Sequence, residues 1–201
     1  MKTRKQILWI TQTALLLGLT VATQYYLTTL LGGAANPISQ LAVGSLVNLF
    51  LVLSTLMCGF WSGASIGTVA PFIAFALGRL PHVWLIPFIG LGNIAIVLVF
   101  WLICGKKIFG ASFSARWAIA AIAGSLLKFS VLWFGVTQVF LKFILVNDAA
   151  LNPVQIARMT TMLSFNFSFP QLATALVGSI IAYAIYPVLK KNIVERTINA
   201  K

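Results

Sequence analysis

Between Arg116 and Lys142 the chain runs through residues 118–141 with a single charge, Lys128, and a single amide, Gln138. An apolar run of that length reads as a helix that crosses a bilayer. Lys128 stands twelve residues from Arg116 and fourteen from Lys142. At about 1.5 Å rise per residue it lies roughly 18–21 Å from either end, further than a lysine stem can snorkel. An ammonium ion at that depth needs a compensating group, supplied either by the protein or by a bound anion.

The rest of the sequence fits the same class. Of its 201 residues, 60% are hydrophobic and 8% are charged, against about 25% charged in a soluble domain. The expected architecture is an all-α integral membrane protein, one six-helix transmembrane domain over residues 1–201. Hydropathy and turn signals place the spans near 7–31, 41–58, 60–77, 82–104, 117–145 and 159–189. The first run is too long for a signal-peptide core and lacks a cleavage site, so it is read as a retained helix. Gly59 leaves only a few residues between the second and third spans, which should be antiparallel neighbours. Cys58 and Cys104 fall near helix ends on the expected cytoplasmic side and are read as free thiols.

Basic residues orient the bundle. With the N-terminus in the cytoplasm, the inner side holds ten: Lys2, Arg4, Lys5, Lys106, Lys107, Arg116, Lys190, Lys191, Arg196 and Lys201. The outer side holds three, Arg79, Lys142 and Arg158. That bias predicts both termini to be cytoplasmic. The net charge of +12 is then topology and attraction to anionic lipid, with no basic-aromatic stretch for nucleic acid.

Small residues recur four apart on several spans. Ala14, Gly18 and Ala22 share one face of the first helix, Gly59, Gly63 and Gly67 repeat the spacing on the third, and Ala120 and Gly124 on the fifth. Such faces let helix backbones approach closely in lipid. A first helix at the edge of the bundle can offer its face to a second protein.

Polar residues inside the spans converge on one layer. Counted inward from the expected outer ends, Gln24 and Asn166 are about seven residues deep, Asn48 about eight, Asn93 about ten, Gln171 about twelve and Lys128 about fourteen. Groups at that depth face the bundle interior or a cavity. The amides either bond to one another across the bundle or line a small-molecule site. Pro170, next to Gln171, should kink the sixth helix there and free a backbone carbonyl. Trp133, Phe165 and Phe169 are candidate apolar walls.

Enzyme chemistry is poorly supplied. The chain has two acids, Asp148 and Glu195, both outside the spans. A metal site, a carboxylate pair or a proton relay inside the membrane would need more, and no metal or cofactor is expected. Residues Gly63-Ala64-Ser65-Ile66-Gly67 match G-x-S-x-G, but the nucleophile elbow needs a strand-turn-helix and a nearby histidine. His82, the single histidine, is expected near the opposite surface from Ser65. No phosphate-binding loop is present, so this chain does not hydrolyse ATP by itself.

Taken together, six spans in about 200 residues, basic cytoplasmic ends and a small-residue face on helix one resemble the substrate-binding S components of energy-coupling factor (ECF) transporters. The likeness extends to Gly44-Ser45-Leu46-Val47-Asn48, to Gly59-Phe60-Trp61-Ser62-Gly63 through Pro71, to Phe169-Pro170-Gln171-Leu172 and to Pro187-Val188-Leu189-Lys190-Lys191. It covers the whole chain and rests on architecture and loose patterns. The family's helix-one motif is A-x-x-x-A, where this chain has Ala14-x-x-x-Gly18 followed by Ala22.

The resemblance implies capture of a small water-soluble vitamin or similar micronutrient in an outward-facing pocket, at the cell membrane of a prokaryote. It implies a transmembrane coupling subunit and two ATPase subunits as partners, with helix one as the contact. It also implies that loop 33–40, carrying Asn36 and Pro37, is a movable lid. Lys128, Asn93, Gln171, Asn48, Asn166, Trp133 and Gln24 are the candidate substrate-binding residues, and a carboxylated or otherwise anionic ligand is favoured. From other classes, a self-sufficient secondary transporter or channel and a membrane scaffold subunit remain open. The first often shows an internal repeat or an intramembrane carboxylate, neither of which is seen here, and a scaffold would leave the polar layer without a use.

Overall fold

The structure, a computed structural model, describes residues 2–33, 36–106 and 110–191. Lys107, Arg196 and Lys201 of the expected charge pattern lie outside these residues, as do residues 34 and 35 of the expected lid. Among the described residues every regular element is helical.

Helix α1 (Lys2–Ala22) continues through a wider π turn, Thr23–Leu27, to Leu30. Then come α2 (Pro37–Cys58), α3 (Phe60–Ala76), α4 (Leu85–Phe100, extended in π geometry through Trp101–Gly105) and α5 (Phe113–Leu132, extended through Trp133–Leu145). Two further helices, α6 (Pro153–Asn166) and α7 (Phe169–Leu189), complete the described elements. Among the described residues five stretches are long and apolar enough to cross a membrane: Thr3–Leu30, Pro37–Cys58, Leu85–Gly105, Phe113–Leu145 and Pro153–Leu189. Helix α3 is apolar but shorter, at 17 residues.

Local chemistry sets the helix ends. Asn36 accepts from the Ile38 amide with Pro37 in the first turn of α2, and Ser112 accepts from the Ala115 amide at the start of α5. Asn152 and Gln155 form a reciprocal capping box on α6. Each such cap is worth about 1 kcal/mol. Helix α3 stops at Gly78, whose φ of +69° only glycine adopts cheaply. There the Arg79 amide donates to Ala74 and the Gly78 amide to Phe75, the paired bonds of a Schellman cap. That turn fixes where Arg79 leaves the helix.

The single sixth span is resolved into two helices. The break falls at Phe167–Ser168, three residues before Pro170. Pro170 therefore sits in the first turn of α7, where a missing N–H costs nothing. The fourth span starts at Leu85 rather than at His82. His82 lies in the preceding turn, where its Nε2 is 2.9 Å from Asp148 Oδ2.

Helix α2 is central and packs against α1, α3, α4 and α7. Its closest approach is to α7, where a Cβ at Gly178 would lie 2.7 Å from the Asn48 Cβ and one at Gly44 would lie 2.9 Å from Thr174 Cγ2. The buried apolar side chains fall into two clusters. One, around Leu51, Phe100 and Trp117, draws on α1 to α5 and α7. The other, around Leu85, Leu132, Phe140, Leu145 and Phe167, draws on α4, the C-terminal half of α5 and α6 with its joint to α7. The polar layer lies at Lys128, close in sequence to Leu132 of the second cluster.

Candidate substrate cavity

Lys128 reaches the bundle interior from α5 and is 3% exposed. Its Nζ donates to Asn48 Oδ1 at 2.6 Å and to Asn93 Oδ1 at 2.8 Å. The two amides are 1% and 2% exposed. Their orientation is fixed from behind, because Asn48 Nδ2 donates to the Gly44 carbonyl at 2.8 Å and Asn93 Nδ2 to the Gly67 carbonyl at 3.0 Å. With both NH2 groups held by backbone, both side-chain oxygens turn to the ammonium. Four helices, α2, α3, α4 and α5, thereby meet at one cation.

Close backbone packing makes this geometry possible. Gly178 lets α7 press against Asn48, and a Cβ at Gly67 would sit 3.0 Å from the Asn93 Cβ. Of the expected glycine row Gly63 and Gly67 are thus used inside the bundle, whereas Gly59 precedes α3 and meets nothing within 4 Å. Gly63 faces Thr55 and Val97, and Gly124 on α5 faces Ile96 and Val99.

The amides solvate the ammonium without neutralising it. Two of its three N–H groups have acceptors among the described residues, and no acid joins them. Lys128 is also part of the lining of a deep lobe of about 120 Å³, with Asn48, Asn93, Gln24, Gln171 and Pro71. A larger mouth lobe of about 320 Å³ lies toward Arg79. Gln24, Gln40, Val43, Ala74, Leu80 and Phe167 line both, so the two are adjoining lobes of one recess.

The sequence-derived candidates separate into three groups. Lys128, Asn48 and Asn93 bond directly, and Gln24 and Gln171 line the deep lobe with them. Asn166 is buried but lines the mouth lobe only. Its carbonyl ends α6 and accepts from Gln171 Nε2 at 3.2 Å, so the carbonyl expected to be freed by a kink at Pro170 is instead a helix-end carbonyl bonded by Gln171. Trp133 is not brought to the recess. It is 43% exposed, because Leu132, one position earlier on the helix, takes the inward direction. Phe165 and Phe169 are 56% and 72% exposed, and the aromatic wall comes from Phe167 between them.

Asn36 and Pro37 cap α2 and do not line either lobe, whereas Ser39 and Gln40 just beyond them do. Ala14, Gly18 and Ala22 line a shallow apolar groove between α1 and α3 with Tyr25, Ile73 and Leu77. A Cβ at Gly18 would meet nothing within 4 Å. Ala14 and Gly18 are exposed on this face and Ala22 is half-buried.

Sequence reasoning missed Arg79 as a lining residue. Arg79 Nη2 donates to Thr29 Oγ1 at 2.8 Å, and the guanidinium lies 5.4 Å from the Tyr25 ring centroid. Its signal in the sequence is its position, a lone basic residue directly after the glycine that ends an apolar run. No family model, curated protein or solved structure matches this chain.

Proposed function

We propose that this chain is the substrate-capture subunit of an ATP-driven importer of the ECF type. It takes a small water-soluble vitamin or related micronutrient into the recess floored by Lys128. The observation that carries this reading is a buried cation solvated by two neutral amides at the bottom of a recess inside an apolar helical bundle. A few fixed polar groups in a mostly apolar concavity make a small-molecule site.

In this reading α3 is a sixth crossing and both termini are cytoplasmic in a prokaryotic cell membrane. The recess then opens outward, on the side of Arg79, with Asn36 and Pro37 at the base of a lid loop. Ala14, Gly18 and Ala22 form the contact for a transmembrane coupling subunit, which brings two ATPase subunits. The chain itself performs no catalysis. Orientation is checked in a variant lacking Cys58 and Cys104: a cysteine at Asn147 labels with an impermeant reagent from outside, and one at Gly110 does not.

The deciding experiment uses the compound released from the purified protein by denaturation. Liposomes carrying this chain alone should bind that compound without accumulating it. Adding coupling and ATPase subunits with ATP should give uptake. Accumulation by the chain alone, driven by an ion gradient, would instead identify a secondary transporter.

A further inference from the structure

Two features of the recess lie outside the Lys128 triad. Arg79 at the mouth keeps its Nε buried with no acceptor among the described residues, while its Nη2 donates to Thr29 Oγ1 and to the Tyr25 carbonyl. Gln24, which lines both lobes, has a buried Oε1 with no donor. Unmatched buried polar atoms are uncommon and costly, about 1–3 kcal/mol each; of the four among the described residues these two line the recess, whereas Arg116 Nε and Ser125 Oγ do not. The third N–H of Lys128 is a further donor at the floor.

The charges are one-sided. Lys128 and Arg79 line the recess and no acid does. Asp148 is bonded to His82 and lines neither lobe. Glu195 lies outside the described residues. Between the two cations the shared walls combine the apolar Val43, Ala74, Leu80 and Phe167 with the neutral amides Gln24 and Gln40. A cationic ligand would meet repulsion at both ends in a setting that screens charge poorly.

Resting on the capture reading above, we propose that the recess holds an organic anion at two points. Its anionic group, a carboxylate or phosphate, sits on Lys128 in the deep lobe. An apolar or aromatic middle lies between Leu80 and Phe167. An N–H or O–H on that middle donates to Gln24, and a second acceptor group meets Arg79 Nε at the mouth. Arg79 is thus a specificity residue, selecting for an acceptor at the far end of the ligand.

The same chemistry is present in the headgroup of an anionic phospholipid, so the test separates the two sources. The full-length protein is purified in detergent, and the compound it releases on denaturation is identified by mass spectrometry. Thermal unfolding is then measured with three probes of one shape: 4-carbamoylbenzoate, terephthalamide and 4-amidinobenzamide. The expected result is a water-soluble acid in the released fraction and an upward shift with 4-carbamoylbenzoate alone. Lys128→Met and Arg79→Gln should each lower retention of the released acid at least tenfold.

A neutral or cationic released compound overturns the anion assignment and leaves solute capture standing. A phospholipid overturns capture of a water-soluble solute and retains the anion pairing. No released compound together with no probe shift overturns both. Lys128→Met puts folding at risk, and Arg79→Gln, on an interhelical turn, carries the test without it. Unchanged retention in Arg79→Gln removes the second anchor.

Discussion

The two apolar clusters differ in what they connect. The cluster around Phe100 and Trp117 joins α1 to α5 and α7, so one end of the bundle is tied across its whole width. The cluster around Phe140 and Leu145 ties only α4, α5 and α6, and within it α1, α2 and α3 place no buried side chain. The recess is lined by Gln24, Val43 and Ala74 from those three helices. A site is thus obtained by leaving half of one layer unfilled while the other layer holds the helices in place. Hydropathy does not distinguish the two halves, because both are apolar. Contact partners do.

The comparison breaks first at Phe100, which is fully buried in the wider cluster. Phe100→Ala should cost about 3–5 kcal/mol and lower the midpoint of thermal unfolding for the whole chain. A loss confined to the α6 region would show that the wide cluster does not hold the bundle together.

Next is Asn48, at the boundary between filled and unfilled regions. Asn48→Leu removes one acceptor from a buried ammonium and should cost about 1–3 kcal/mol. Adding Lys128→Met should recover part of that loss, since the charge left unsolvated is gone. An additive double variant would mean that the two side chains are not coupled.

Gly18→Leu sharpens the contrast at the edge. Half of the best 18-residue window of α2 is buried, against 11% for the first helix. With nothing within 4 Å of the added Cβ, stability should change by no more than about 0.5 kcal/mol. Under the proposed function, uptake should nevertheless be lost while ligand binding persists. A large fall in stability would place that face inside the bundle.

The smallest effect is expected at Asp148, between α5 and α6. The hydrogen bond to His82, with a second from the Ala150 amide, holds its carboxyl below the usual carboxylate range. The stability it adds is therefore complete above the unfolded pKa of about 4 and is lost as pH falls through the lower folded value. Asp148→Asn should flatten the acid limb of a plot of unfolding midpoint against pH by lowering the neutral plateau slightly, with the variant and parent curves meeting at low pH.

Much of the architecture was legible because apolar runs bounded by glycine, proline and charge leave few alternatives to helices. Lys128, Asn48 and Asn93 could be grouped by depth alone, since polar groups at one level of a bundle turn inward. What depth does not give is direction around the helix. Trp133 and Leu132 are equally deep, and one rotation of about 100° sends the first outward and the second to the recess. The break at Phe167–Ser168 was hidden because the run through it stays apolar, and the proline signal lies three residues on. Arg79 was counted toward topology because it falls outside every span. Only the Schellman turn at Gly78 shows that it folds back over the recess.

The division into two clusters also bears on how the molecule breathes. Protein structure opens in cooperative units whose boundaries follow contact density. Helix α6, separated from α7 by the joint at Phe167–Ser168, belongs to the narrower cluster and borders the mouth lobe through Met162 and Leu163. Its amides should exchange with deuterium together, and sooner than those of α2. Under the proposed function, a solute would enter through a subglobal fluctuation of one short helix, at a free energy below that of unfolding, while the amide cradle under Lys128 stays assembled.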